Sequence, residues 1–358
     1  MTVAGRRAPA VPLPLLPALT AAAVLLLSAC AAPPAPTAAS DPAAATPAAA
    51  LERAERLLAG DAAAALLALW PVAVQGEARA QYLLGQAYMT GAGVALDEAE
   101  GLRLLENAAD QGLADAQVAA GVARLAGRGT AAEDPRAAAL WFEQAAAQGH
   151  PVGLYRLAQL TADGRGVRRD PGRALGLLDR AAALGLPAAQ TALGRLYADG
   201  QGVPKDVAWA ARWFGEAARR GDAEGQYRLG LAHQTGAGVP ADPTAALAWL
   251  TLARDRGHPE AGAALAPLRE RIGPTARAAA DAVVQRWQPV TGVPAGEDGP
   301  TVLYVQQRLA TLGYSPGGTD GLMGRRTRAA VAAFQAAHGL PADGSLTAAT
   351  LTALRAAR

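Results

Sequence analysis

The chain has 358 residues, 51% of them hydrophobic but only 4% aromatic, so its apolar content is mostly Ala and Leu, the composition of packed helices. Its 33 basic and 31 acidic side chains nearly cancel, which argues against a nucleic-acid surface; paired arginines such as Arg168 and Arg169 or Arg219 and Arg220 read as solvated positions near loops. The length allows more than one domain, and a single cysteine excludes any disulfide within the chain.

Residues 1–29 read as an export signal. Arg6 and Arg7 precede an apolar stretch from Val11 to Leu27, and Pro12, Pro14 and Pro17 interrupt it, which disfavours a membrane-spanning helix. Leu27-Ser28-Ala29-Cys30 resembles a bacterial lipobox. The resemblance implies cleavage before Cys30, acylation of its thiol and attachment to a membrane through the N-terminal lipid. At about 0.8 kcal/mol per buried methylene, several acyl chains would hold durably. Ala31, where an aspartate resembles an inner-membrane retention signal, points to the outer membrane and the periplasmic side of a bacterial envelope. Two alternatives stay open: an ordinary secretory signal with an incidental cysteine, and twin-arginine export. Residues 30–49, almost all Ala, Pro, Thr and Ser, bury too little surface to offset chain entropy and are expected to form an extended tether.

Residues 50–288 are periodic. Gly93, Gly129, Gly166, Gly202 and Gly238 follow one another at 36, 37, 36 and 36 residues, and a fixed period of roughly 20–50 marks a solenoid whose units must stack to bury their apolar faces. Each unit reads as two helices. Eight positions before each marker glycine the first helix carries a small residue (Gly85, Gly121, Ala158, Gly194, Gly230) that admits a close neighbour. After the glycines comes an aspartate (Asp97, Asp134, Asp170, Asp206, Asp242) placed to cap the second helix. Seven positions further stands a large apolar residue (Leu104, Trp141, Leu177, Trp213, Trp249), expected in the core. The extra residue of the 37-residue unit falls in the loop and spares the helix register. A last pair of helices, near 259–272 and 275–287, is expected to shield the end.

With pieces such as Ala80-Gln81-Tyr82-Leu83-Leu84-Gly85-Gln86-Ala87-Tyr88, five units in register resemble the Sel-one-like repeat family, relatives of the tetratricopeptide repeats. The resemblance implies an all-α fold, a right-handed α-solenoid of helix pairs whose concave side, lined by first helices, binds other proteins. Candidate groove residues are Gln86, Gln159 and Arg195, one beyond the small position, and Arg156 and Arg228, two before it. The plainer reading, that these are merely solvated, stays open, and the partner is an unidentified envelope protein.

Residues 289–299, rich in Pro and Gly, read as a linker, and residues 300–358 as a small three-helix domain with helices near 301–312, 327–338 and 347–357. Leu309, Val331, Phe334, Leu340, Leu351 and Leu354 are its expected core, and Asp320-Gly321 and Asp343-Gly344 its turns; neither has the regular oxygen spacing of a calcium loop. Leu312-Gly313-Tyr314, Asp320-Gly321, Phe334-Gln335, Gly339-Leu340 and Asp343-Gly344 stand as in the bacterial peptidoglycan-binding domain of the three-helix type, which this segment resembles. That implies a shallow groove near the first loop and second helix for the stem peptide or glycan of the wall. Gln306, Tyr314, Asp320, Arg326 and Gln335 are the candidates. Against them stands a structural reading in which Gln306 and Gln335 bridge helices and Tyr314 packs on the core.

Such domains often accompany wall hydrolases, but no His-Glu-x-x-His helix, Gly-x-Ser-x-Gly elbow or catalytic cysteine appears. His150 and His258 occupy one repeat position, and Glu106 and Glu143 lie on repeat helices, so both sets read as structural or solvated. The sequence therefore points to a lipid-anchored envelope scaffold with no catalytic residues, cofactor or metal, binding peptidoglycan at one end and protein along the repeats. An adaptor that recruits or regulates a wall hydrolase or synthase, and a hydrolase with an unrecognised site, are the alternatives.

Overall fold

A computed structural model describes residues 46–57, 60–291, 299–318 and 323–357. These form seventeen helices and, among the described residues, no strand. An opening pair, α1 (Pro47–Leu57) and α2 (Ala62–Val74), is followed by five pairs: α3 (Ala78–Thr90) and α4 (Glu98–Asp110), α5 (Ala114–Leu125) and α6 (Pro135–Ala147), α7 (Pro151–Asp163) and α8 (Pro171–Ala183), α9 (Pro187–Asp199) and α10 (Val207–Arg219), α11 (Ala223–Thr235) and α12 (Pro243–Asp255). A last pair, α13 (Ala261–Arg271) and α14 (Pro274–Arg286), precedes the three C-terminal helices α15 (Gly299–Thr311), α16 (Arg325–Ala337) and α17 (Ala348–Ala356). Each helix packs on the next through the repeats, giving the stacked pairs of an α-solenoid. α1 begins at Pro47, inside the segment expected to be tether, because Ala54 is fully buried in the apolar cluster it shares with α2. The signal peptide, Cys30 and the rest of the tether lie outside the described residues.

The caps are where the aspartates place them. The Asp97, Asp134, Asp170, Asp206 and Asp242 carboxylates accept from the backbone N–H of Glu100, Ala137, Arg173, Trp209 and Ala245. Each satisfies an orphan donor of the first turn, worth about 1 kcal/mol.

The marker glycines do more than turn the chain. At Gly129, Gly166 and Gly238 a Cβ would lie 2.2, 2.1 and 2.1 Å from the carbonyl oxygens of Glu98, Pro135 and Val207, the first residues of the preceding second helices. With φ of 73–77° besides, only glycine seats one repeat on the last. Gly202 is the exception: nothing comes within 4 Å of its Cβ position.

Of the expected large positions Leu104, Leu177 and Trp213 are buried, and the core extends to the next residue as well. Trp141 and Trp249 are half-buried, whereas Leu105, Phe142, Phe214 and Leu250 are buried and fill the space left by the small residues Gly85, Gly121, Gly194 and Gly230. A Cβ at Gly121, Gly194 or Gly230 would meet Phe142, Phe214 or Leu250 at 2.6, 2.5 or 2.7 Å. A one-residue step turns the side chain by about 100°, which carries it from the flank of the helix to its packed face.

A second device unites the repeats. Buried Gln81, Gln117, Gln190 and Gln226 each donate, at 3.1 Å, to the carbonyls of Ala73, Ala109, Ala182 and Ala218, near the end of the preceding second helix. Leu154 takes that place in the third repeat.

The C-terminal helices are not set apart from the solenoid. Leu309, Val331, Phe334 and Leu354 form the expected core, with Leu340 and Leu351 half-buried, but this core is continuous with the apolar cluster of the third and fourth repeats. α15 packs on α10. The start of the expected linker is tied down too: Val290 N donates to Arg219 O at 2.8 Å, and Arg220 donates to Val290 O at 3.3 Å. Arg219 and Arg220, expected to be solvated, lie beside fully buried Glu216, and the Arg220 side chain is only 6% exposed.

Candidate binding clefts

Three of the five residues expected along the first helices, Gln86, Gln159 and Arg195, line two clefts of the same register, and Arg156 and Arg228 line neither. One, of about 540 Å³, is lined by Leu83, Gln86 and Met89 of α3, Leu105 of α4 and Val122 of α5. The other, about 460 Å³, is lined two repeats later by Gln159 of α7, Leu178 of α8, and Arg195 and Asp199 of α9. The second sits where Gly202 fails to seat on Pro171 and Gly172, so the loosened junction is itself the cleft wall. Successive first helices α5 and α7, and α9 and α11, also touch, which draws this face of the stack together.

Gln86 and Gln159 are exposed, and each donates to a tyrosine hydroxyl one turn back, Tyr82 at 2.7 Å and Tyr155 at 3.0 Å. Arg156 donates to Gln159 at 3.1 Å, linking two candidates, and Arg195 is exposed at the rim. Arg228 lines neither of these clefts; it pairs with Glu224 at 2.8 Å.

A third cleft, about 640 Å³, lies in the C-terminal domain between α15, the loop after it and the start of α16, lined by Gln306, Pro316, Gly317, Arg325, Arg326 and Thr327 among others. Arg326 is exposed there, and Gln306, only 1% exposed, donates to Thr327 Oγ1 at 3.1 Å, which in turn donates to Pro316 O at 3.0 Å. Two of the five expected residues thus meet at this cleft. Tyr314 packs edge-on to Phe334, centroids 5.7 Å apart. Gln335 is a bridge: 1% exposed, it donates to Ser345 O at 2.9 Å and Thr350 Oγ1 at 3.0 Å and accepts from Gly344 N at 2.8 Å, which leaves no face for a ligand. Asp320 lies outside the described residues.

The histidines and carboxylates have structural partners. His150 Nε2 faces Asp115 at 3.2 Å and His258 Nε2 faces Glu224 at 2.8 Å, so the shared repeat position joins one repeat to the one before it. Burial would raise the Glu224 carboxyl, but hydrogen bonds from His258 and Arg228 outweigh it and hold the group below its ordinary value. Burial pushes His233 down against a hydrogen bond to Pro240 O. Glu106 accepts a two-pronged contact from Arg124 at 2.6 and 2.9 Å, and Glu143 pairs with Arg173 at 2.7 Å. Among the described residues no cluster of His, Cys, Asp and Glu could hold a metal ion, and no helix is long and apolar enough to cross a membrane.

The comparisons with known proteins follow this anatomy. The Sel1 repeat family matches residues 78–113, 114–150, 151–186, 187–222 and 223–258, together half of the chain. The chain is a Sel1 repeat protein. Residues 298–354 of this Sel1 repeat protein match the family model of a peptidoglycan binding domain. Among solved structures, a Sel1 repeat protein from Oxalobacter formigenes is 33% identical with a TM-score of 0.59, over 62% of this chain and 66% of that one, a little under two thirds of its length. The protective antigen c5321 of uropathogenic Escherichia coli, which displays an SLR fold, is 24% identical with a TM-score of 0.38, over 87% of this chain and 82% of that one. No curated protein was found to match. Both matched families are binding modules, which supports a binding and scaffolding role for the Sel1 repeat protein, and the C-terminal match points to association with the cell envelope.

Proposed function

We propose that this Sel1 repeat protein is a lipid-anchored envelope scaffold, held to the outer membrane through Cys30 on the periplasmic side, that binds peptidoglycan at the cleft between α15 and α16 and an envelope protein along its first-helix clefts. The observation that carries the wall reading is the meeting of Gln306, Thr327 and exposed Arg326 at one cleft of the domain that matches the peptidoglycan-binding family. The guanidinium supplies a fixed fork for a stem-peptide carboxylate, and glycines at the rim give the ligand access to backbone. Gln86, Gln159 and Arg195 would offer amide and cationic groups above the apolar floors of the repeat clefts, the mixture that fixes a partner segment in register.

Co-sedimentation of the full mature chain with purified sacculi, at several salt concentrations, tests the wall reading. Pelleting that persists at high salt and drops about tenfold or more in Arg326→Ala is the expected result. Pelleting equal in wild type and variant would move the site elsewhere.

A further inference from the structure

α10 differs from its sister helices on the face that should point away from the core. Three residues after the capping aspartate the five second helices carry Glu100, Ala137, Arg173, Trp209 and Ala245; only Trp209 is large and aromatic, and it is buried at 5% exposure. Six and ten residues after the cap, α10 carries Arg212, 7% exposed, and Glu216, wholly buried. Nothing in the repeat's own packing requires this, since Glu100 and Ala137 are half-exposed and Arg173 is exposed.

The C-terminal domain covers them. The Arg212 guanidinium lies 4.0 Å from the centre of the Trp213 ring and 4.8 Å from that of Trp209, and its Nε donates to Thr301 Oγ1 at 3.0 Å. Thr301 in turn donates to Glu216 Oε1 at 3.3 Å. Tyr304 of α15 lies on Trp209 with centroids 4.4 Å apart, and Arg355 of α17 donates to the Tyr197 hydroxyl with its cation 5.3 Å from the ring centre. Trp, Tyr and Arg around a desolvated charge pair make the composition of an interface centre, in contrast to the Ala–Leu packing elsewhere in the chain.

We propose that Trp209, Arg212, Trp213 and Glu216, with Tyr197, form a dedicated docking site for the chain's own C-terminal domain, which is thereby fixed on the flank of the solenoid at its fourth repeat and is not a module swinging on a linker. Pinning Val290 to α10 leaves only a short connection to α15, so the effective concentration of the domain at this face is on the order of millimolar or higher, and modest affinity suffices to keep it seated. α15 then has two sides. Tyr304 enters the seam and Gln306, two residues on, enters the candidate wall cleft, so a ligand there is held at a set distance from whatever occupies the first-helix clefts. The docking itself does not depend on the wall reading; only this consequence does.

Paired spin labels test it in the full chain, at Lys205→Cys and Thr352→Cys, both exposed, with Cys30→Ser. Wild type is expected to give one narrow inter-label distance. Trp209→Ala and Arg355→Ala are expected to broaden it at least twofold, and Leu140→Ala, at the position in α6 that matches Arg212, to leave it unchanged. Arg355 lies on the edge of its domain, so its variant keeps the test alive should Trp209→Ala fail to fold. A broad distribution in wild type, or a narrow one that survives both variants, overturns the proposal. Arg326→Ala is expected to leave the distance narrow, so sacculus binding retained in that variant would count against the wall reading alone and leave the docking untouched.

Discussion

α6 and α10 are the equivalent second helices of two different repeats, each 13 residues long and capped by an aspartate, yet their outer faces have opposite fates. Leu140 of α6 is 62% exposed while its counterpart Arg212 is 7% exposed. An exposed leucine beside a buried arginine reverses what hydropathy alone would assign. The lesson is that the repeat fixes only the face turned to the next repeat; the other face is free to vary, and what docks on it decides its burial.

That contrast can be broken in solution. The largest effect is expected at the docked face: Trp209→Ala should lower unfolding free energy by about 3 kcal/mol in chemical denaturation, against less than about 0.5 kcal/mol for Leu140→Ala. Next come the seats between repeats. Gly166→Ala meets Pro135 O as well as an unfavourable φ and should cost about 3 kcal/mol, whereas Gly202→Ala, with open space around it, should cost only the backbone strain of about 1 kcal/mol. Equal losses would show that Gly202 is seated like the others and that the cleft beside it closes in solution.

The glutamine ladder is smaller. Gln117→Ala removes the side-chain bond to Ala109 O, which keeps its bond from Gly112 N, and should cost about 1 kcal/mol, with Gln117→Leu costing less because the third repeat already uses Leu154 there. The smallest effect is that of pH. Glu224 is held below its ordinary value, so its contribution is present above the usual carboxylate range and lost as pH falls through the folded value; solvent screening limits it to about 0.5 kcal/mol. His233 is pushed down as well, so protonation favours the unfolded chain as pH drops below about 6.5, and both groups act in the same direction. Denaturation midpoints from pH 8 to 4 should fall less steeply in Glu224→Gln and His233→Gln.

Much of the fold was legible because its signals are local. The glycine period, the capping aspartates and the helix pairs each depend on a few neighbouring residues, and repetition five times over makes them unmistakable. The candidate clefts were half legible. Gln86, Gln159 and Arg195 follow from their place in the repeat, and Gln306 and Arg326 line one cleft, but the motif position of Gln335 does not reveal that its amide is consumed by Ser345, Thr350 and Gly344. A buried glutamine and a solvated one look alike in sequence, since the difference is whether a distant loop folds back on it.

By itself, then, the sequence determined an all-α solenoid of five stacked repeats, its caps and glycine turns, and a three-helix domain after it, because each rests on the steric and hydrogen-bonding needs of short segments. Tertiary structure alone decided that the core falls at Phe142 and Phe214 and not at Trp141, that Arg220 and Arg212 leave solvent, and that α15 rests on α10. Arg212 and Thr301 are 89 residues apart in the chain, and no local pattern encodes which of two exposed-looking faces will meet; only the packing of whole domains selects the pair whose aromatic and charged groups satisfy one another.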